Sequence, residues 1–544
     1  MSRLFRKKNK KGIVLILAFL IIVPLVILAG SAAHRAINEF NLVKRNRFSI
    51  EALYLAEGGV DQIAYLFAYN TANNISDADN NIITTSGPES IPNLPSGFLP
   101  ADFSLNYECV LEQAEFTDVD ALGITTFVTI YKITVYAWRG TELSATVNQF
   151  FARKKTYTFQ HAVFYVDDLE ILPGPNMTLS GKIHSNSDIY IGANNTLTID
   201  TDYLYTAGDI YNRRKNNGTR PSGDVAIEIK GSPGTYANME IAGAYLDSDD
   251  SDWTTDSQTR WNGTVKSSVH GVTALAAPEV SSIQPGGYYA GEAGLKITKK
   301  IDGSWEIFSG ATQINMSDLP ADTIIESTFL DNRENINVTV TDIDISKLNS
   351  SGYFPSNGLL YATREDASSS QPNGIRLIEG GALTSNLTVV SNDPVYILGN
   401  YNNDVNKKSA AIISDAVNIL SNSWDDTNNN FSDRNASVTE INAAFIAGNV
   451  PTPDGANPYS GGLENYPRLH ENWQFGGTKE LIIRGSFVEL WESQIAKGSW
   501  SYGDPNYKAP IRNWDYDTDF NNSSNLPPFT PFAVEMERVA WWKN

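Results

Sequence analysis

Cys109 is the only cysteine in 544 residues. One thiol makes neither an internal disulfide nor a cysteine-ligated zinc site, so the fold must be held by burial and backbone pairing. Histidine is scarce too: His34, His161, His184, His270 and His470 are scattered and form no H-E-x-x-H or similar ligand spacing. There is no G-x-S-x-G elbow, P-loop or G-x-G-x-x-G turn. Basic residues are in deficit, with 41 Lys+Arg against 62 Asp+Glu and a net charge of −21. Six of them (Arg3, Arg6, Lys7, Lys8, Lys10 and Lys11) lie in the first twelve positions, and without those six the chain stands at −27. So acidic a body repels phosphate backbones, which argues against nucleic acid as a partner. Aromatics (11%) and hydrophobics (41%) are too abundant for a disordered acidic chain. At roughly 100–200 residues per domain the length suits two to four domains, or one long solenoid.

The basic leader is followed by Ile13 to Ala33, a run without a charge. As a helix that run spans about 30 Å, the hydrocarbon thickness of a bilayer. The positive-inside tendency keeps the leader cytoplasmic and places the rest beyond the inner membrane. The run also reads as a signal anchor, or as a secretory signal with Ala29-Gly30-Ser31-Ala32-Ala33 as its cleavage region. Apolar positions then recur at Leu53, Ala56, Val60, Ile63 and Phe67, a spacing that predicts continuation of the helix to about Tyr69. Pro24 should kink it, and Gly58-Gly59 marks an expected flexible point.

A short basic leader ending in Lys10-Lys11-Gly12, with the apolar run beginning at Ile13, resembles the class III signal of type IV pilins and type II secretion pseudopilins. The run Glu51–Gly59 resembles the A-x-x-A-E-x-G region of PilX-type N-termini, at the right distance from the leader. The resemblance implies that a prepilin peptidase cuts between Gly12 and Ile13 and that the helix stays in the mature subunit to pack against other pilins or pseudopilins. Most pilins carry glutamate at the fifth mature position, and this chain has Leu17 there. That departure fits a minor or tip subunit better than a major pilin.

Residues 73–100, with Pro88, Pro92 and Pro95, read as linker. Residues 127–138 alternate as a strand, Arg139-Gly140-Thr141-Glu142 as a turn, and Leu143 to Phe151 as the partner strand. A long helix on such an antiparallel sheet is the layout that the pilin resemblance implies. From about residue 159 short Ile/Val/Leu runs recur between Gly, Asn, Asp and Ser: residues 181–186, 188–191, 197–199, 208–211, 375–378, 387–390, 395–398, 410–413, 417–420, 443–446 and 481–484. These suit a parallel β-solenoid, with a β-sandwich as the alternative. The stretch 213–360 reads as a loop-rich insertion with a hairpin around Leu295 to Phe308. The organisation expected is thus a leader (1–12), a transmembrane and amphipathic helix (13–72), a linker and small sheet (73–158), a first β-rich region (159–375) and a C-terminal β-rich region (376–544). The fold class is mainly β behind one long helix. Residues 388–486 also resemble large uncharacterised surface proteins that carry pilin-like N-termini.

Chemistry is sparse. His184 and Ser185 are neighbours that read as a strand end and not as a base and nucleophile. Asp167/Asp168 and Asp425/Asp426 are the carboxylate pairs a polysaccharide-active enzyme would need, although 62 acids make such pairs common. No catalytic or cofactor-binding residue is assigned, and the chain does not read as an enzyme. Two sets supply oxygen ligands of the kind calcium takes, Asp247, Asp249, Asp250 and Asp252, and Asp425, Asp426 and Asp433, neither with EF-hand spacing. The late tryptophans Trp473, Trp491, Trp500, Trp514, Trp541 and Trp542 read as core or solenoid cap, with sugar stacking as the alternative. The combined expectation is a minor subunit of a pilus or secretion filament that displays a large acidic head at the cell surface. Its partners would be the prepilin peptidase, other pilins, the inner membrane, and a tip adhesin or surface glycan. The alternatives are a membrane-anchored polysaccharide-active enzyme on a β-helix and a plain single-pass envelope binding protein.

Overall fold

The structure, a computed structural model, describes residues 11–74, 85, 87–120, 123–453 and 459–543. The leader residues Arg3, Arg6, Lys7, Lys8 and Lys10 and part of the 73–100 linker lie outside the described residues.

Helix α1 spans Lys11–Ala72 and passes Pro24 without interruption. It runs a turn past Tyr69, where Thr71 donates to the Phe67 carbonyl (2.7 Å) and Arg153 donates to Thr71 (3.1 Å). The flexible point expected at Gly58-Gly59 is a packing site instead. A Cβ on Gly58 would lie 2.6 Å from the Phe98 ring, and one on Gly59 2.7 Å from Ile91 and 3.1 Å from Val135. The missing side chains let a ring and a strand press on the helix backbone, and that contact offsets the helix propensity lost at glycine.

Against the C-terminal half of α1 lies a five-stranded antiparallel sheet in the order Glu89–Ser90, Phe103–Val119, Thr125–Arg139, Glu142–Tyr157, Phe532–Lys543. Along Phe103–Val119 the alternation places Phe103, Leu105, Tyr107 and Cys109 on the covered face. They join Ala56, Val60, Ile63 and Phe67 of α1 and Ile133, Val135, Val147 and Phe151 of the neighbouring strands in one apolar cluster.

The rest of the chain is the head, built from short strands stacked in parallel. Its longest ladder runs in space through Val265–Lys266, Leu204–Thr206, Ile183–Ser185, Val163–Tyr165, Phe487–Glu492, Ala444–Asn449, Ala410–Ser414, Leu387–Val390, Leu359–Arg364 and Leu295–Lys299. Every one of these pairings is parallel. From Val163 the chain steps outward to Val265, crosses to Leu295 at the opposite end, and returns strand by strand to Phe487. Its last turn therefore lies beside its first. Parallel ladders also join 374–378, 395–398 and 417–420 on a second face, and 439–442, 480–485 and 511–516 on a third. Strands such as Leu359–Arg364 and Ala410–Ser414 are buried along their whole length, as expected where a sheet is covered on both faces. The helix Trp253–Trp261 closes one end, with Trp253 and Trp261 buried, and an antiparallel hairpin on Leu295–Lys299 closes the other. Such ends cover strand edges that would otherwise recruit another chain.

Candidate functional site: an open apolar helix, an inserted head and an acidic seam

Three features carry chemical potential. The first is the N-terminal half of α1. The large aliphatic side chains and Phe19 from Ile13 to Leu28 are all at least 50% exposed. Among the described residues α1 is the one helix long and apolar enough to cross a membrane, with an 18-residue stretch of mean hydropathy 3.2. Beyond this run Phe40, Leu42 and Val43 remain exposed among Arg35, Glu39, Lys44, Arg45 and Arg47. Gly12 and Ile13 lie in the first turn of α1, and Leu17 is open on its surface. Exposing so long an apolar rod to water is unfavourable at about 25 cal/mol per Å2, which favours an apolar environment around it.

The second feature is the way the head is joined. The chain leaves the small sheet at Tyr157 and returns at Phe532, which pair in register with rings stacked at 4.3 Å. Residues 158–531 are thus an insertion between two adjacent strands. Further bonds bind the head and the returning strand to the rest. Tyr69 donates to Glu279 (3.1 Å), Ala276 pairs with Val534, Lys154 meets Glu537 (2.7 Å), and Arg538 reaches Asp61 on α1. Two covalent passages and a strand ladder resist rotation better than one linker would.

The third feature is a cavity of about 230 Å3 at the seam where the first and last turns of the head meet. Glu489 pairs in register with Tyr165 across that seam, and its carboxylate accepts from the Val166 and Asp167 backbones (3.2 Å each). Asp168 is held by Lys215 (2.6 Å) and accepts from Asp188 N (3.0 Å) and the Ser187 hydroxyl. Glu170 accepts from Ser460 (3.2 Å). Burial pushes Asp167, Glu170 and Glu489 above the usual carboxylate range, because a charged carboxylate loses hydration there.

The other residues singled out in the sequence are dispersed. His184 bonds Asn186 (3.1 Å) and Tyr203 (3.3 Å), whereas Ser185 donates to the Asp167 carbonyl (2.9 Å), so the two neighbours face different partners. His161 and His470 are buried, and His34 is exposed on α1. Asp247 is buried, accepts from Asn212 N (3.1 Å) and pairs with Arg220 (3.1 Å). Asp249 pairs with Arg213, and Asp250 accepts from Asp247 N (2.9 Å). Asp252 precedes the helix Trp253–Trp261. Asp426 pairs with Arg376 (2.6 Å), Asp425 accepts from Thr427 (2.9 Å), and Asp433 lies in the following turn. In both sets arginines and backbone N–H groups take acceptor oxygens that a hard cation would need. Among the described residues no group of three or more His, Cys, Asp or Glu is placed to hold a metal. Trp473, Trp491 and Trp514 are buried, Trp500 is partly buried, and Trp541 is exposed on the returning strand. The sequence pattern does not single out Glu170, Glu464, Glu471 or Glu489 as site residues. Their only signal is a lone glutamate beside an apolar strand or turn, as in Leu169-Glu170-Ile171 and Val488-Glu489-Leu490.

No family model matches the chain, and no curated protein does. Among solved structures it is similar to the competence-associated pilin ComZ from Thermus thermophilus, at 11% identity and a TM-score of 0.28, over 91% of this chain and 97% of that one.

Proposed function

We propose that this chain is a pilin-like subunit, made as a single-pass inner-membrane protein, that carries a bulky acidic head on a filament, at or near its tip. The observation that carries the reading is the division of α1 into an open apolar half and a half packed under an antiparallel sheet. The open half suits residence in a bilayer before assembly and packing among sister helices afterwards. The leader ending at Gly12 supplies the processing step that such a transfer requires. Leu17 leaves no carboxylate to neutralise the terminal amine of a neighbouring subunit, which favours an end position over the shaft. So does the size of the inserted head, which would crowd its own copies if repeated at every subunit. The head's role is display, towards a surface glycan or a tip adhesin, and needs no catalytic constellation.

The test is co-expression with a prepilin peptidase, followed by mass spectrometry of the N-terminus. The reading expects a mature chain beginning at Ile13 and no cleavage in Gly12→Ala. An intact N-terminus, or cleavage that persists in Gly12→Ala, would leave a plain single-pass envelope protein as the better description.

A further inference from the structure

We propose that the seam cavity binds a short linear diammonium or polyamine ligand. Among the described residues two buried polar atoms on its walls lack a close hydrogen-bond partner: the Tyr165 hydroxyl and Oε2 of Glu170, on residues 1% and 5% exposed, although the Glu170 carboxyl is otherwise engaged by Ser460 and Thr452. Buried hydrogen-bonding atoms are rarely left unpaired, so two at one cavity mark a place where a donor is missing. An ionised carboxylate only accepts and a phenol both accepts and donates, so an ammonium, with several N–H donors, can serve the carboxylate and the phenol oxygen together. The walls agree in charge. Asp167, Glu170, Glu489 and the exposed Glu492 surround the space, and among the described residues Lys215 is the one cation lining it, already paired with Asp168. That existing ammonium–carboxylate pair is the same chemistry the remaining carboxyls lack.

A single metal ion fits less well. The described carboxylates do not converge as a metal-ligand group, and the space is several times the roughly 30 Å3 of one water. One charge would also leave most of the carboxyls uncompensated, whereas two ammonium groups on a flexible chain reach opposite walls. Because Tyr165 and Glu489 sit on the strands that close the seam, a bound ligand bridges the first and last turns of the head and stabilises the closed stack by mass action. The carboxyls raised by burial release protons as the ammonium groups enter. Nothing here depends on the filament reading, and processing after Gly12 is tested separately.

The experiment is isothermal titration of the full chain in detergent micelles with putrescine, spermidine, the uncharged diol of the same length as putrescine, and calcium. The expected result is saturable binding of the amines, none of the diol, and a heat that changes with the buffer's ionisation enthalpy. Glu170→Gln should weaken binding about ten-fold or more, the loss of one charge-assisted bond. Glu492→Gln lies at the exposed rim, where folding is not at stake, and should weaken binding a few-fold. No amine binding up to millimolar concentration overturns the proposal. So does equal binding of the diol, unchanged affinity in both variants, or calcium binding that displaces the amines at one ion per chain.

Discussion

The two halves of α1 carry similar apolar side chains to opposite fates. Ile13 to Leu28 lie open, whereas Ala52, Ala56, Val60, Ile63 and Phe67 are buried under a sheet. The difference lies in what the chain brings back to cover them. The C-terminal half is covered by strands from residues 89–157 and by Phe532–Lys543 from the far end of the chain. No described element returns over the N-terminal half, so its cover must come from outside. One helix therefore forms part of a domain core in one half and presents an uncovered apolar surface in the other.

The largest effect that breaks this comparison is a buried charge. Ile63→Asp should cost about 4 kcal/mol or more and separate helix from sheet, read as a loss of cooperative thermal unfolding. The matching change in the open half, Ile22→Asp, should leave that unfolding within about 0.5 kcal/mol. Its effect appears elsewhere, as roughly 3 kcal/mol lost from membrane insertion, seen as a shift of the protein out of the membrane fraction. Gly59→Leu tests the close approach. It should destabilise by about 1–3 kcal/mol in denaturant melts, through overpacking against Ile91 and Val135.

The smallest effect separates head from helix. Burial pushes Asp393, Glu464 and Glu471 in the head up to about 7, whereas among the described residues before Tyr157 no Asp or Glu is buried. These carboxyls hold protons in the fold that the unfolded chain has released by neutral pH. Their contribution is therefore present at acid pH and lost as pH rises through 7. Burial pulls His184 and His470 down to about 4, so their opposing effect operates below the ordinary imidazole range and adds nothing above it. Between about pH 6.5 and 8 the head should lose on the order of 1 kcal/mol per carboxyl, a fall of a few degrees in Tm. The contact of α1 with its sheet should not follow.

Local periodicity made much of this legible. The apolar run and the 3–4 spacing mark α1, and residues 127–138 and 143–151 fall within Thr125–Arg139 and Glu142–Tyr157. Runs at 387–390, 395–398 and 417–420 match strands residue for residue, and the Leu295 hairpin is present. Phe103–Val119 is not legible as a strand because its second half is exposed and mixes Val110, Leu111, Phe116 and Val119 irregularly with acidic and polar residues, which hides the alternation that its first half shows. Pairing partners were not legible at all. Nothing local in Phe532–Lys543 points to Glu142–Tyr157, and nothing in Val488-Glu489-Leu490 points to Tyr165. Parallel pairing between distant segments is set by the whole stack, so Glu170 and Glu489, which meet only across that seam, were invisible as a site. Gly58-Gly59 misled for a related reason: its purpose is the Phe98 ring and a strand, both distant in sequence.

The most direct test of the central claim is immunogold labelling of the head on filaments sheared from cells. The account predicts label confined to filament ends, at low copy, and absent when Gly12→Ala blocks processing. Label repeated along the shaft, or protein found in the membrane fraction and never on filaments, would contradict it.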